Sequence, residues 1–193
     1  SSLLGMSPIA GVALVACTAN TAPQTPEVGI GPDGATTVDD LVLELDGEPT
    51  DDDGDTVALG VSWTLDGAVR ADLDGQRRVP AALTAKGQTW EVSVTASDAV
   101  DVGDTRTASI TVSNAAPEAT LTDVPFAPDA SADIRVEAEG TDPDNDPVTL
   151  SWSWTVDGSP TEVTGPVVPA EATERGQVWE VTVTPNDGEI DGE

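Results

Sequence analysis

Apolar and polar residues alternate with a period of two along much of the chain. Val57, Leu59, Val61, Trp63 and Leu65 interleave with Ala58, Gly60, Ser62, Thr64 and Asp66. Val148, Leu150, Trp152, Trp154 and Val156 repeat the pattern further on. Trp90, Val92 and Val94 alternate with Glu91, Ser93 and Thr95, as Trp179, Val181 and Val183 do with Glu180, Thr182 and Thr184. Leu41, Leu43 and Leu45 are answered by Ile134 and Val136. Successive strand side chains point to opposite faces, so this alternation predicts antiparallel sheets packed on one face and wet on the other. Turn-forming clusters separate the runs: "PDG" at 32–34, "DG" at 66–67 and 157–158, and "NDG" at 186–188. Helical periodicity is lacking, and "PAEATERG" (169–176) has room for one turn. The expected fold class is all-β.

The pattern also repeats as a unit. "GQTWEVSVTASD" (87–98) returns as "GQVWEVTVTPND" (176–187), and "DTVALGVSWTLDG" (55–67) as "DPVTLSWSWTVDG" (146–158). "RVPA" (78–81) is echoed by "VVPA" (167–170), and "NTAP" (20–23) by "NAAP" (114–117). The spacing is about ninety residues, close to the roughly 100 of an immunoglobulin-like sandwich and too long for a solenoid repeat. The expected organisation is an apolar N-terminal segment (1–20), a first Ig-like antiparallel β-sandwich (21–114) and a second (115–193). With Cys17 the only cysteine, no internal disulfide can form, so both cores hold by packing alone.

Together, "TDPDNDPVTLSWSWTVDG" and "GQVWEVTVTPNDG" resemble the tandem PKD-type, cadherin-like and other Ig-like repeats of bacterial secreted and surface proteins. The likeness spans residues 21 to 193. It implies a spacer, adhesive stalk or interaction module located outside the cell or at its surface. Cadherin-like repeats often bind calcium through acid motifs near domain junctions, which draws attention to two loops here. "TDDDGD" carries Asp51, Asp53 and Asp55, and "TDPDNDP" carries Asp142, Asp144 and Asp146. Calcium takes six to eight oxygens, and alternating acids can aim several at one point. The competing assignment is ordinary solvated turn chemistry.

Charge narrows the partners. The 36 acidic residues outnumber 7 basic ones, for a formal net charge of −29. Binding to nucleic acid or to an anionic membrane requires Lys and Arg, so neither is an expected partner. Catalysis is not expected either. The chain has no histidine, so neither a Ser-His-Asp triad nor a histidine-based metal site can be built. Carboxylate pairs suited to glycoside hydrolysis sit in turns, without an aromatic-lined cleft beside them. Trp63, Trp90, Trp154 and Trp179 share the face of Val and Leu neighbours, so they are assigned to the core rather than to a sugar-stacking platform. Trp152 replaces Val61 on the same inward register.

The first sixteen residues, "SSLLGMSPIAGVALVA", are uncharged and shorter than the roughly 20 needed to span a bilayer comfortably. They lead through Leu14-Val15-Ala16 to Cys17 and then a polar stretch, an order similar to the bacterial lipobox, in which the cysteine is lipidated. The expected membrane connection is through a lipid on Cys17 alone. At the other end, "TASITVSN" (107–114) completes the first copy with Ala108, Ile110 and Val112 on one face, whereas the second copy stops at "GEIDGE". An open sheet edge is a site of association. Its cover could be a continuation of the chain, a donated strand, or another protein. Donation by residues 9–16 of a neighbouring subunit, through Ile9, Val12 and Leu14, would give self-associating filaments. The expected function is a non-catalytic structural or adhesive element, with a calcium-dependent carbohydrate-binding module as the alternative.

Overall fold

The structure, a computed structural model, describes residues 19–125 and 127–193. The fold is all-β, and its named strand pairs are antiparallel. Seven strands come from the first copy of the repeat: β1 (Glu27–Gly31), β2 (Leu41–Asp46), β3 (Ala58–Leu65), β4 (Ala68–Val69), β5 (Arg78–Val79), β6 (Thr89–Ser97) and β7 (Val102–Thr111). They form a three-stranded sheet, β1-β2-β5, and a four-stranded one, β4-β3-β6-β7. The second copy supplies β8 (Glu118–Asp123), β9 (Ile134–Arg135), β10 (Glu137–Thr141), β11 (Thr149–Val156), β12 (Ser159–Pro160), β13 (Val167–Val168) and β14 (Trp179–Asn186). These give the pairs β10-β8 and β13-β9 and the sheet β12-β11-β14. Among the described residues, single 3-10 turns at Ala81–Leu83 and Ala170–Ala172 are the helical structure the two copies share.

Local chemistry explains the hairpins. Leu65 pairs with Ala68 and Val156 with Ser159, leaving two-residue loops Asp66-Gly67 and Asp157-Gly158. Both residues of each loop have positive φ, the conformation that matches the twist of the flanking strands and that Asp-Gly adopts readily. Each loop aspartate accepts a backbone N–H from the neighbouring strand's N-terminal end, Asp66 from Thr89 at the start of β6 and Asp157 from Val178 just before β14.

The apolar alternation maps onto two separate clusters. In the first copy Leu41, Trp63, Val79, Trp90, Val92 and Val94 are fully buried between the two sheets. Ile134, Val136, Trp154 and Val168 form the second cluster, with Trp152, Trp179 and Val181 half-buried against it. Each central tryptophan finds a partner for its indole N–H: Trp63 donates to the Gln76 carbonyl at 2.9 Å and Trp154 to the Gly165 carbonyl at 2.9 Å. Trp154 and Trp179 meet edge to face, 6.3 Å between centroids.

The copies differ at one edge. In the first, β6 pairs with β3 on one side and β7 on the other. In the second, β14 pairs with β11 alone among the described residues, and only Asp191 adds an isolated bridge to Asn186. Where the two copies do correspond, the match is close. A Cβ on Gly103 would collide with the Pro23 carbonyl oxygen, and a Cβ on Gly192 with that of Pro117.

Candidate functional site

The two acidic loops fold identically because their first aspartate organises the backbone. Asp142 Oδ1 accepts the N–H groups of Asp144 (2.8 Å) and Asp146 (2.9 Å), and Asp51 Oδ1 those of Asp53 (2.9 Å) and Asp55 (3.0 Å). The tight turn puts Gly54 at φ 80° and Asn145 at φ 62°, a left-handed conformation that Gly and Asn tolerate best.

Each loop is then tied to the segment that opens its copy. Asp53 Oδ2 accepts the backbone N–H of Thr21 at 2.7 Å and also its hydroxyl; Asp144 Oδ2 accepts the Ala115 N–H at 2.8 Å. A second tie comes from asparagine. Asn20 donates to Asp98 (3.2 Å) and Asp101 (2.9 Å), and Asn114 donates to Asp187 (2.7 Å). Asp187 is buried, and its other oxygen accepts the N–H groups of Glu189 and Ile190. The Asn114 amide first, and then the Ile190 and Glu189 N–H groups, hold the Asp187 carboxyl down at about 2. Asp98 is held below the usual carboxylate range by the N–H groups of Asp101 and Val100, with a smaller contribution from Asn20. Asp53 is lowered by the Thr21 hydroxyl and then by its N–H.

The second loop has a further neighbour. Lys86, in the turn before β6, places its ammonium between Asp146 and Glu189, 2.8 Å from the latter. Both carboxylates, Asp146 foremost, push the Lys86 pKa up. The first copy is therefore joined to the second by Lys86 as well as through the chain itself at 114–115.

All six acids proposed from sequence lie in these loops, but the copies present them differently. Asp142, Asp144 and Asp146 each offer an oxygen within 4.8 Å of the others, the one such cluster among the described residues. Asp142 Oδ2 and Asn114 Oδ1 are buried without a hydrogen-bond partner, as is Asp51 Oδ2 in the first copy. A donor set made wholly of carboxylate and amide oxygens suits a hard cation such as calcium rather than zinc or copper. The three converging carboxylates of Asp142, Asp144 and Asp146 could hold a metal ion. Sequence reading had assigned no role to Asn20, Asn114, Asp98, Asp187 or Lys86. The repeated "NTAP"/"NAAP" and "SD"/"ND" pairs carried the signal for the first four, because each asparagine recurs with its aspartate. Cys17, Ile9, Val12 and Leu14, proposed for lipidation and strand donation, lie outside the described residues.

No family model matches the chain, and no curated protein matches it either. Among the described residues no helix is long and apolar enough to cross a membrane.

Proposed function

We propose that this chain is a non-catalytic structural element of a bacterial cell surface. In this reading it is built of tandem Ig-like sandwiches and carried on a lipid at Cys17. The observation that carries the proposal is the braced passage between the copies. Asn114 on Asp187 and Ala115 on Asp144 fix the linker to the second copy, and Lys86 reaches from the first copy to Asp146 and Glu189. A linker pinned at three points resists bending, which a spacer needs and an enzyme of independent lobes does not. Burial of Trp63, Trp90 and Trp154 supports the same reading, since a carbohydrate platform presents its rings to water. Intact mass of the native protein, with protease accessibility on whole cells, tests it. The expected result is a lipid-modified Cys17 at the new N-terminus and cleavage from outside. An unmodified chain protected inside the cell would overturn the proposal.

The partnerless oxygens of Asp142 and Asn114 favour a second reading, in which calcium works at this junction and helps the module bind a ligand, carbohydrate being the class proposed. Bound there, the ion would neutralise the converging acids and hold 114–115 to the acidic loop. Calorimetric titration should give saturable calcium binding that Asp142→Asn abolishes. Absence of heat and of any rise in melting temperature at millimolar calcium would remove this reading.

A further inference from the structure

The chain passes from the first copy to the second through a short segment whose two sides are anchored separately. Val112 is buried in the first core. Its carbonyl accepts the Gly87 N–H at 2.8 Å, and its own N–H donates to the Gln88 carbonyl at 2.9 Å. Ser113 N–H donates to the Ala35 carbonyl at 2.8 Å, again within the first copy. From the next residue the bonds run to the second copy, Asn114 Nδ2 to Asp187 at 2.7 Å and Ala115 N–H to Asp144 at 2.8 Å. Ala115 and Pro117 are buried there. The anchoring therefore changes sides at the single linkage between Ser113 and Asn114.

Little else joins the copies. Their apolar clusters have no residue in common. Among the described residues, the side-chain bonds that run directly from the first copy to the second are those of Lys86, to Asp146 and to Glu189. A cavity of about 520 Å³ lies between Thr37, Thr84 and Lys86 of the first copy and Pro143, Asp144 and Asn145 of the second, so the facing surfaces are not packed together there. Lys86 adjoins Gly87, whose N–H is bonded to Val112, so its backbone stands one residue from the first copy's anchor. Its side chain is 29% exposed and that of Glu189 59%. Ion pairs this wet are weak, and salt screens them. The Asn114 bond ends instead on Asp187, which is 8% exposed and far less screened.

We infer that the Ser113-Asn114 linkage is a pivot and that Lys86 is its salt-releasable latch. With the ammonium between Asp146 and Glu189, the copies hold one arrangement. Without it the second copy swings as a unit, carrying Asn114 and Ala115 along on their own bonds to Asp187 and Asp144. In dilute salt the ammonium also offsets the mutual repulsion of two acidic copies, so its loss opens the junction. In strong salt attraction and repulsion are both screened, and the junction swings freely. Ionic strength thereby sets the stiffness of the passage. The inference deepens the structural reading above and rests on its braced passage, yet its test reads the junction alone and is independent of location or lipidation.

Backbone amide NMR relaxation of the full chain tests this, because it reads the tumbling of each copy separately. The expected result is one shared tumbling time at about 20 mM NaCl and two shorter, independent times at about 1 M. Lys86→Glu should separate the times already at low salt. Adding Glu189→Lys to that variant sets the same three charges in a new order and should restore the shared time. The amide shifts of each copy show in the same spectra that it is folded, so release is not mistaken for unfolding. One shared time at both salt concentrations, or a Lys86→Glu chain that stays coupled at low salt, overturns the latch and leaves the stiff-spacer reading standing. Separate times in the unaltered chain at both concentrations overturn the latch and the braced passage together. A double variant that remains uncoupled overturns ion pairing as the force that holds the copies.

Discussion

Trp90 and Trp179 sit at equivalent positions, follow the same Gly-Gln turn and share the same hydrogen bond from indole N–H to glutamine, yet one is fully buried and the other is not. The difference comes from one strand. β7 covers Trp90, Val92 and Val94, and nothing described covers Trp179, Val181 and Val183. Alternating sequence therefore makes a strand and chooses its inward face, but the depth of burial belongs to the neighbour. Arg70 adds to the contrast, its guanidinium lying 5.2 Å from the Trp90 ring centroid, where it caps the first core from a further side.

The largest effect that should separate the copies is truncation of these tryptophans. Trp90→Ala removes a buried aromatic and leaves a cavity, with an expected cost of about 3–5 kcal/mol. Trp179→Ala should cost clearly less, since part of its ring already meets water. Denaturant unfolding followed by far-ultraviolet circular dichroism compares them, and equal losses would break the comparison.

A smaller effect sharpens the likeness rather than the difference. Asn114→Ala should let the Asp187 pKa rise from about 2 toward the ordinary carboxylate value, and Asn20→Ala should raise that of Asp98 by less, because backbone N–H groups dominate there. The folded-state pKa of Asp187 lies below its unfolded value of about 3.9, so its stabilising contribution is complete above that pH. It should disappear as pH falls through about 2. Carboxylate chemical shifts followed by NMR across this range check both the values and the sign.

The smallest effect is expected at Lys86. Its pairs with Asp146 and Glu189 are partly solvent-exposed, and salt screens such pairs. Lys86→Gln should lower the melting temperature slightly at low salt and not measurably in 1 M NaCl. A large, salt-independent loss would mean that the brace between the copies depends on this residue far more than its exposure implies.

Much of the fold was legible because its signals are local. The alternation around Trp63 and Trp154 located β3 and β11, the Asp-Gly pairs located both tight hairpins, and the repeated Gly-Gln-x-Trp located β6 and β14. Trp152 read as inward and is half-buried against the second core. One element came out differently divided. Ile134 and Val136 read as the counterpart of a single strand, whereas β9 and β10 pair with different partners, and Val136, buried between them, belongs to neither. The acidic loops were visible as clusters, but their ties were not. Asn114 reaches Asp187 across 73 positions, and Lys86 reaches Glu189 across 103. Such long-range pairs leave no periodicity, and repetition of both partners in the other copy was the only trace of the asparagine pairs.

Amide hydrogen exchange at β6 and β14 tests the central claim most directly, because both strands are read in one molecule under one condition. The account predicts that β6 amides are protected throughout, and that alternate β14 amides, those turned away from β11, exchange orders of magnitude faster. Uniform protection along β14, matching that of β6 in dilute monomeric protein, would contradict it.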